Sequence, residues 1–158
     1  MGPCFVSLDP VRRVTALEMT EAQLDHDVLA LWRAYGWTLR LLTKKRGGAV
    51  VEEIVDPYHT RDSRGSAKGF PDRVAIRPPR LMFVELKKER GRIEPEQQAW
   101  HNALKLVSDQ VDVVARLCGE WWPMHQPTSA GGFVAPSLEA YFWWPSDLLA
   151  GQIERTLR

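Results

Sequence analysis

The chain has 158 residues, 44% hydrophobic and 26% charged, with a formal net charge of +1, which suits one domain with a full core. The longest uncharged stretch, Trp121 to Leu138, holds three prolines and two adjacent glycines, so it is not a membrane span. No basic start followed by a long apolar run marks a signal peptide. The two cysteines, Cys4 and Cys118, lack the spacing of a disulfide framework or a zinc site; a soluble cytoplasmic protein is expected. Between Arg40 and Arg92 fourteen basic residues face seven acidic ones, against seven and thirteen elsewhere. A basic stretch of this kind suits a phosphate backbone, and equally a solvated basic face.

Residues 1–18 show no clear periodicity and read as an N-terminal extension to a single domain over 19–158. Thr20-Glu21-Ala22-Gln23 has the form of a capping box. Leu24, Val28, Leu31, Trp32 and Tyr35 follow at helical spacing, and Gly36 makes a stop, so the first helix is predicted over about 20–35. Trp37–Leu42 and Ala49–Val55 read as strands joined by the basic turn Lys44–Gly48, and Asp56–Gly69 as a polar loop. Two further strands, Arg73–Arg77 and Leu81–Lys87, are joined by Pro78-Pro79-Arg80. A second helix starts near Glu94-Pro95, with Trp100, Ala103, Leu104 and Val107 as its buried stripe. Val111–Leu117 reads as a strand, 119–137 as a Pro/Gly-rich stretch, and Tyr141–Trp144 as extended. Ser146 caps a last helix carrying Leu149, Ile153 and Leu157. The order is α-β-β-β-β-α-β-α, a mixed α/β domain. Trp32, Trp100, Trp143 and Trp144 are expected in the core or a dimer interface.

In Val84-Glu85-Leu86-Lys87, strand alternation puts the two apolar residues on one face and the carboxylate and ammonium on the other. Upstream, a Pro71-Asp72 turn opens the preceding strand of the same hairpin, so pairing can bring Asp72 next to Glu85. Two carboxylates with open space between them meet the demand of Mg²⁺ or Mn²⁺ for hard oxygen ligands and retained waters. Such an ion can polarise a phosphodiester and acidify a bound water, with Lys87 orienting that water or stabilising charge. Taken singly, Glu85 and Lys87 read as a cross-strand ion pair and Asp72 as a turn residue. His26, His101 and His125 show no metal-ligand spacing.

The sequence resembles the VRR-NUC (virus-type replication-repair nuclease) branch of the PD-(D/E)xK nucleases, in particular its small stand-alone members. The matching stretches are Thr20–Gln23 with Gly36-Trp37, His59 through Gly69-Phe70-Pro71-Asp72, Phe83-Val-Glu-Leu-Lys87, Ile93-Glu-Pro-Glu-Gln97 with Trp100, and Trp144-Pro-Ser-Asp147. The resemblance implies a restriction-endonuclease-like core of order αβββαβ, a mixed sheet flanked by helices. It makes Asp72 and Glu85 the main metal ligands, with the Leu86 backbone carbonyl as a third and Glu21 reaching the metal directly or through water. Lys87 would position the attacking water, and Gln97 would hold Lys87 or the scissile phosphate. His59, Arg61, Ser66 and Lys68, in the loop leading to Asp72, are candidates for gripping phosphates.

One departure from the family pattern is an insertion at about 118–139 between the strand expected at 111–117 and the Trp144-Pro-Ser-Asp147 segment. The expected activity is Mg²⁺- or Mn²⁺-dependent endonuclease action on DNA, selective for branched DNA such as four-way junctions and carried out as a homodimer. The alternatives are a restriction-like or nicking nuclease on linear DNA, a catalytically inactive DNA-binding module, and a structural subunit.

Overall fold

The computed structural model describes residues 8–45, 47–60, 67–121 and 137–158. Helix α1 (Pro10–Glu18) comes first, then α2 (Glu21–Ala34). Strands β1 (Leu39–Lys44) and β2 (Val50–Val55) follow, then β3 (Tyr58–His59), β4 (Arg73–Arg77) and β5 (Arg80–Leu86). After β5 come α3 (Pro95–Trp121), β6 (Ser137–Trp143), α4 (Pro145–Leu149) and α5 (Gln152–Leu157). The fold is mixed α/β, as expected, but the strands divide into two sheets. Strands β1 and β2 form a separate antiparallel hairpin, while the main sheet runs β3-β4-β5-β6 with only the β5–β6 pair parallel. Parallel neighbours need a crossover, and α3 supplies it.

Alternation along β5 sets the layers. Met82, Val84 and Leu86 face a core built with Leu24, Val28 and Trp32 of α2, Ala75 of β4, Trp143 of β6, and Ile153 and Leu157 of α5. Each such large apolar side chain contributes about 1.5–3 kcal/mol on burial. Trp37 closes one end, its indole N–H donating to the Leu157 carbonyl at 2.9 Å. On the opposite face Phe83 meets Phe70, which packs edge-on against Trp100 of α3. His101 of α3 stacks on Phe142 of β6. At the start of α2 the capping box is formed on both sides, with Thr20 and Gln23 bonding reciprocally.

Five expectations are corrected. Val111–Leu117 is helical, because α3 runs unbroken to Trp121. The valines favour a strand, but Gln97, His101, Leu104, Ser108 and Val111 continue one partly covered stripe at helical spacing, and that packing overrides propensity. The same stripe leaves Ala103 and Val107 exposed rather than buried. The chain's last helix is two, broken at Gly151, whose φ of +68° no longer fits a right-handed helix; α4 is capped through Asp147, which accepts from the Trp144 N–H at 3.0 Å, and not by Ser146. Finally, part of 1–18 is regular: Asp9 caps α1, and Arg12 reaches the Leu149 carbonyl, tying α1 to α4. Within the segment expected as an insertion, 118–121 end α3 and 137–139 begin β6, and the rest lies outside the described residues. No helix among the described residues is long and apolar enough to cross a membrane.

Candidate active site

The last ladder pair between β4 and β5 is Arg73–Val84, so Asp72 sits just before β4 begins, opposite the end of β5. Its Oδ2 accepts from the Leu86 N–H at 2.9 Å, in the place a strand carbonyl would take. The carbonyl of a strand residue points to the same edge as its N–H, which turns the Leu86 carbonyl toward Asp72. Glu85, one residue earlier on β5, points to the α3 face and is 5% exposed. Lys87 is 8% exposed, and its Nζ lies 2.8 Å from Glu85 Oε1. The hairpin thus brings Asp72, Glu85 and Lys87 to one end of the main sheet.

Two helices complete the group. Gln97 occupies the first turn of α3 and is held at both ends: its Oε1 accepts from the Glu94 N–H at 2.9 Å, and its Nε2 donates to Glu85 Oε1. Glu21, in the first turn of α2, accepts from the Lys88 N–H at 3.2 Å. That carboxylate suits a helix N-terminus on its own account, and the contact binds α2 to the chain just beyond β5.

Electrostatics separate this cluster from an ordinary ion pair. Burial pushes the Glu85 carboxyl up to about 6, with the Lys87 contact opposing and Asp72 adding to the rise. Burial likewise raises Asp72, against the Leu86 N–H and Lys87, while Glu21 adds to the rise. Both carboxylates remain destabilised as anions although an ammonium stands beside them, so the site favours further positive charge. Two hard carboxylates and a carbonyl turned to the same edge form a donor set that fits Mg²⁺ or Mn²⁺ completed by waters. Among the described residues no three His, Cys, Asp or Glu side chains converge on one point as a ready-made cage. Glu21 therefore stands as a neighbour whose carboxylate is engaged by the backbone at Lys88.

Of the residues expected to grip phosphates, His59 lies on β3, where its register partner is Arg73, the residue after Asp72. Lys68 is paired with Glu96 at 2.5 Å, so contact with a phosphate requires exchange of that partner. Arg61 and Ser66 lie outside the described residues, as does His125.

Sequence reasoning missed the residues that hold this end of the sheet in place. Arg73 is buried, bonded through two nitrogens to Asp25 at 2.6 and 2.7 Å and to the Pro57 carbonyl at 3.1 Å. Asp25 follows Glu21 by one helical turn, and that spacing was the available signal. Gly69, at φ +78°, brings the loop against the first turn of α3 so closely that a Cβ would lie 2.5 Å from the Glu96 carbonyl carbon. Glu89 accepts from the Ser146 N–H at 2.9 Å and ties the chain after β5 to α4.

No curated protein and no solved structure matches the chain. A model of the VRR-NUC domain family matches residues 17–118, a span that takes in Glu21, Asp72, Glu85, Lys87 and Gln97. The chain belongs to the VRR-NUC domain family, a nuclease domain of the PD-(D/E)xK type on a restriction-endonuclease-like α/β core.

Proposed function

We propose that this nuclease domain is a divalent-metal-dependent DNA endonuclease that cuts branched DNA, such as four-way junctions, as a two-fold dimer. The observation that carries the catalytic part is the junction of Asp72, Glu85 and Lys87 at the end of β5, with both carboxylates pushed up by burial. Asp72, Glu85 and the Leu86 carbonyl would hold the metal, with Glu21 reaching it through water; bound there, Mg²⁺ or Mn²⁺ supplies charge neutralisation at the phosphate and a more acidic water.

The chain's own residues do the remaining work. Lys87 keeps an ammonium beside Glu85, where it orients the attacking water and offsets charge developing on the phosphate. Gln97 fixes the Glu85 carboxylate from the α3 side, so the ligand geometry is set before substrate arrives. His59 and Lys68 flank the approach to Asp72 and supply phosphate contacts, together with Arg61 and Ser66. A two-fold dimer presents two such sites to two strands, which is how a lone nuclease domain can address a junction.

The test uses labelled four-way-junction and linear duplex DNA with Mg²⁺, with Mn²⁺ and with chelator. Metal-dependent cutting of the junction well above that of the duplex is expected. Equal cutting of both substrates moves the assignment to a restriction-like or nicking nuclease. Binding without cutting under every condition leaves an inactive DNA-binding module.

A further inference from the structure

The basic turn Lys44–Gly48 takes no part in the site described above, and it closes the β1–β2 hairpin. That hairpin packs almost entirely on itself, and its strands of six residues make an arm about 20 Å long. Its base is anchored on α2, where Arg33 bonds through two nitrogens to Asp56 at 2.6 and 2.9 Å. From there Pro57 leads into β3, whose His59 pairs in register with Arg73, the residue after Asp72. The arm thus springs from the sheet edge that carries the candidate active site. Its charge is concentrated at the tip. Nearer the base Arg40 pairs with Glu52 at 3.3 Å, which neutralises both, and Glu53 lies on the opposite face. From Thr43 to Val51 the chain holds Lys44, Lys45 and Arg46 and no carboxylate. Lys44 and Lys45 are exposed. Gly47 and Gly48, at φ +115° and +89°, meet the demand of the turn, and a Cβ on either would stand in open space. The tip is therefore thin. Beside Lys44, on the same face, Val50 is 63% and Leu42 76% exposed.

We propose that the hairpin is a DNA-gripping arm, which lays its tip in the major groove of a duplex segment away from the cut, with Lys44 and Lys45 on phosphates. The proposal rests on the nuclease reading above and names a second surface that holds its substrate. Charge selects the occupant. DNA carries one negative charge per about 1.7 Å of helix axis, and each lysine that meets a phosphate releases a condensed counterion. Shape agrees, since a major groove about 12 Å wide admits a two-stranded ribbon. The aliphatics find partners there too, because Leu42 and Val50 can lie against thymine methyl groups, the apolar feature of that groove. Between the arm and the active site, a cleft of about 490 Å³ runs from Leu39 and Val55 at the hairpin base to His59 and Arg73. A strand held at the tip is thus led toward Asp72.

The experiment measures binding of the full chain to labelled duplex and four-way-junction DNA in chelator, over a series of salt concentrations. A Lys44→Ala/Lys45→Ala variant is expected to bind both DNAs about tenfold more weakly, with the slope of log K against log salt shallower by about 2. Lys44→Arg/Lys45→Arg, which keeps the charge, is expected to restore affinity and slope. Should the alanine variant misfold by far-UV circular dichroism, the wild type decides: bound DNA is expected to shield Lys44 and Lys45 from acetylation, read by mass spectrometry. A folded alanine variant with wild-type affinity and slope, an arginine variant as weak as the alanine one, or undiminished acetylation would overturn the proposal. So would a variant that keeps its DNA affinity and changes oligomeric state, which would give the arm to a second copy. Binding in chelator keeps the two readings apart. A wild type that cuts nothing with any metal, beside a variant that loses binding, defeats the nuclease reading and leaves the arm. Metal-dependent cutting, beside a variant that binds like wild type, does the reverse.

Discussion

Glu85 pays for its position, since burial holds its carboxyl at about 6 against an ordinary 4.5. A carboxyl whose folded value lies above its unfolded one stabilises the fold below pH 4.5 and loses that contribution as pH rises through about 6. Above pH 6 the ionised Glu85 therefore weakens the metal-free protein by roughly 2 kcal/mol. Glu85→Gln removes that charge and keeps an acceptor for Lys87 and Gln97. In chelator at pH 8 this variant is expected to melt about 4–8 °C above wild type, with the gain gone at pH 4 and DNA cutting lost throughout. Equal melting temperatures at pH 8 would mean that the buried carboxylate carries no such strain. The residue types at this site were legible in the sequence because β alternation and a Pro-Asp turn place carboxylate, ammonium and carboxylate together. The Arg73–Asp25 pair was not legible: nothing local joins a strand arginine to a helix aspartate 48 positions away.

At the scale of elements, the site depends on how the loop before β4 meets the first turn of α3. Gly69 at φ +78° lets that loop lie against the Glu96 and Gln97 backbone, and a methyl group there would stand 2.5–2.7 Å from three atoms of those two residues. Gly69→Ala is thus expected to cost about 1–3 kcal/mol in stability. Because the loop carries Asp72 and α3 carries Gln97, single-turnover cutting should fall at least about tenfold even at saturating DNA, an effect of geometry at the reacting centre. Cutting at the wild-type rate would show that the close approach does not set the site. The start of α3 could be read from Pro95, whose fixed φ suits a first helical turn. Its far half could not: Val111-Asp-Val-Val has the composition of a strand, and only packing of the stripe from Gln97 to Val111 on the sheet decides for helix. The break at Gly151 was missed for a related reason, since Leu149, Ile153 and Leu157 keep helical spacing through it.

Over the whole molecule, the main sheet separates two kinds of packing. One face holds the continuous apolar core with α2 and α5, including Trp32 and Trp143; the other, under α3, holds Phe70, Phe83, Phe142 and Glu85. The site sits where β5 ends, tied to the first turn of α2 by Glu21 at the Lys88 N–H and to the first turn of α3 by Gln97 at Glu85. The order of strands and helices was largely visible in hydrophobic periodicity, whereas the separation of the hairpin from the main sheet was not, because pairing partners are a tertiary property. The most direct test of the account is single-turnover DNA cutting with Mg²⁺ by wild type, Asp72→Ala and Lys87→Ala, with DNA binding measured alongside in chelator. Wild type is expected to cut, while both variants lose at least about a hundredfold in rate and bind DNA within a few-fold of wild type. Undiminished cutting by Asp72→Ala or Lys87→Ala would place the chemistry elsewhere and contradict the account.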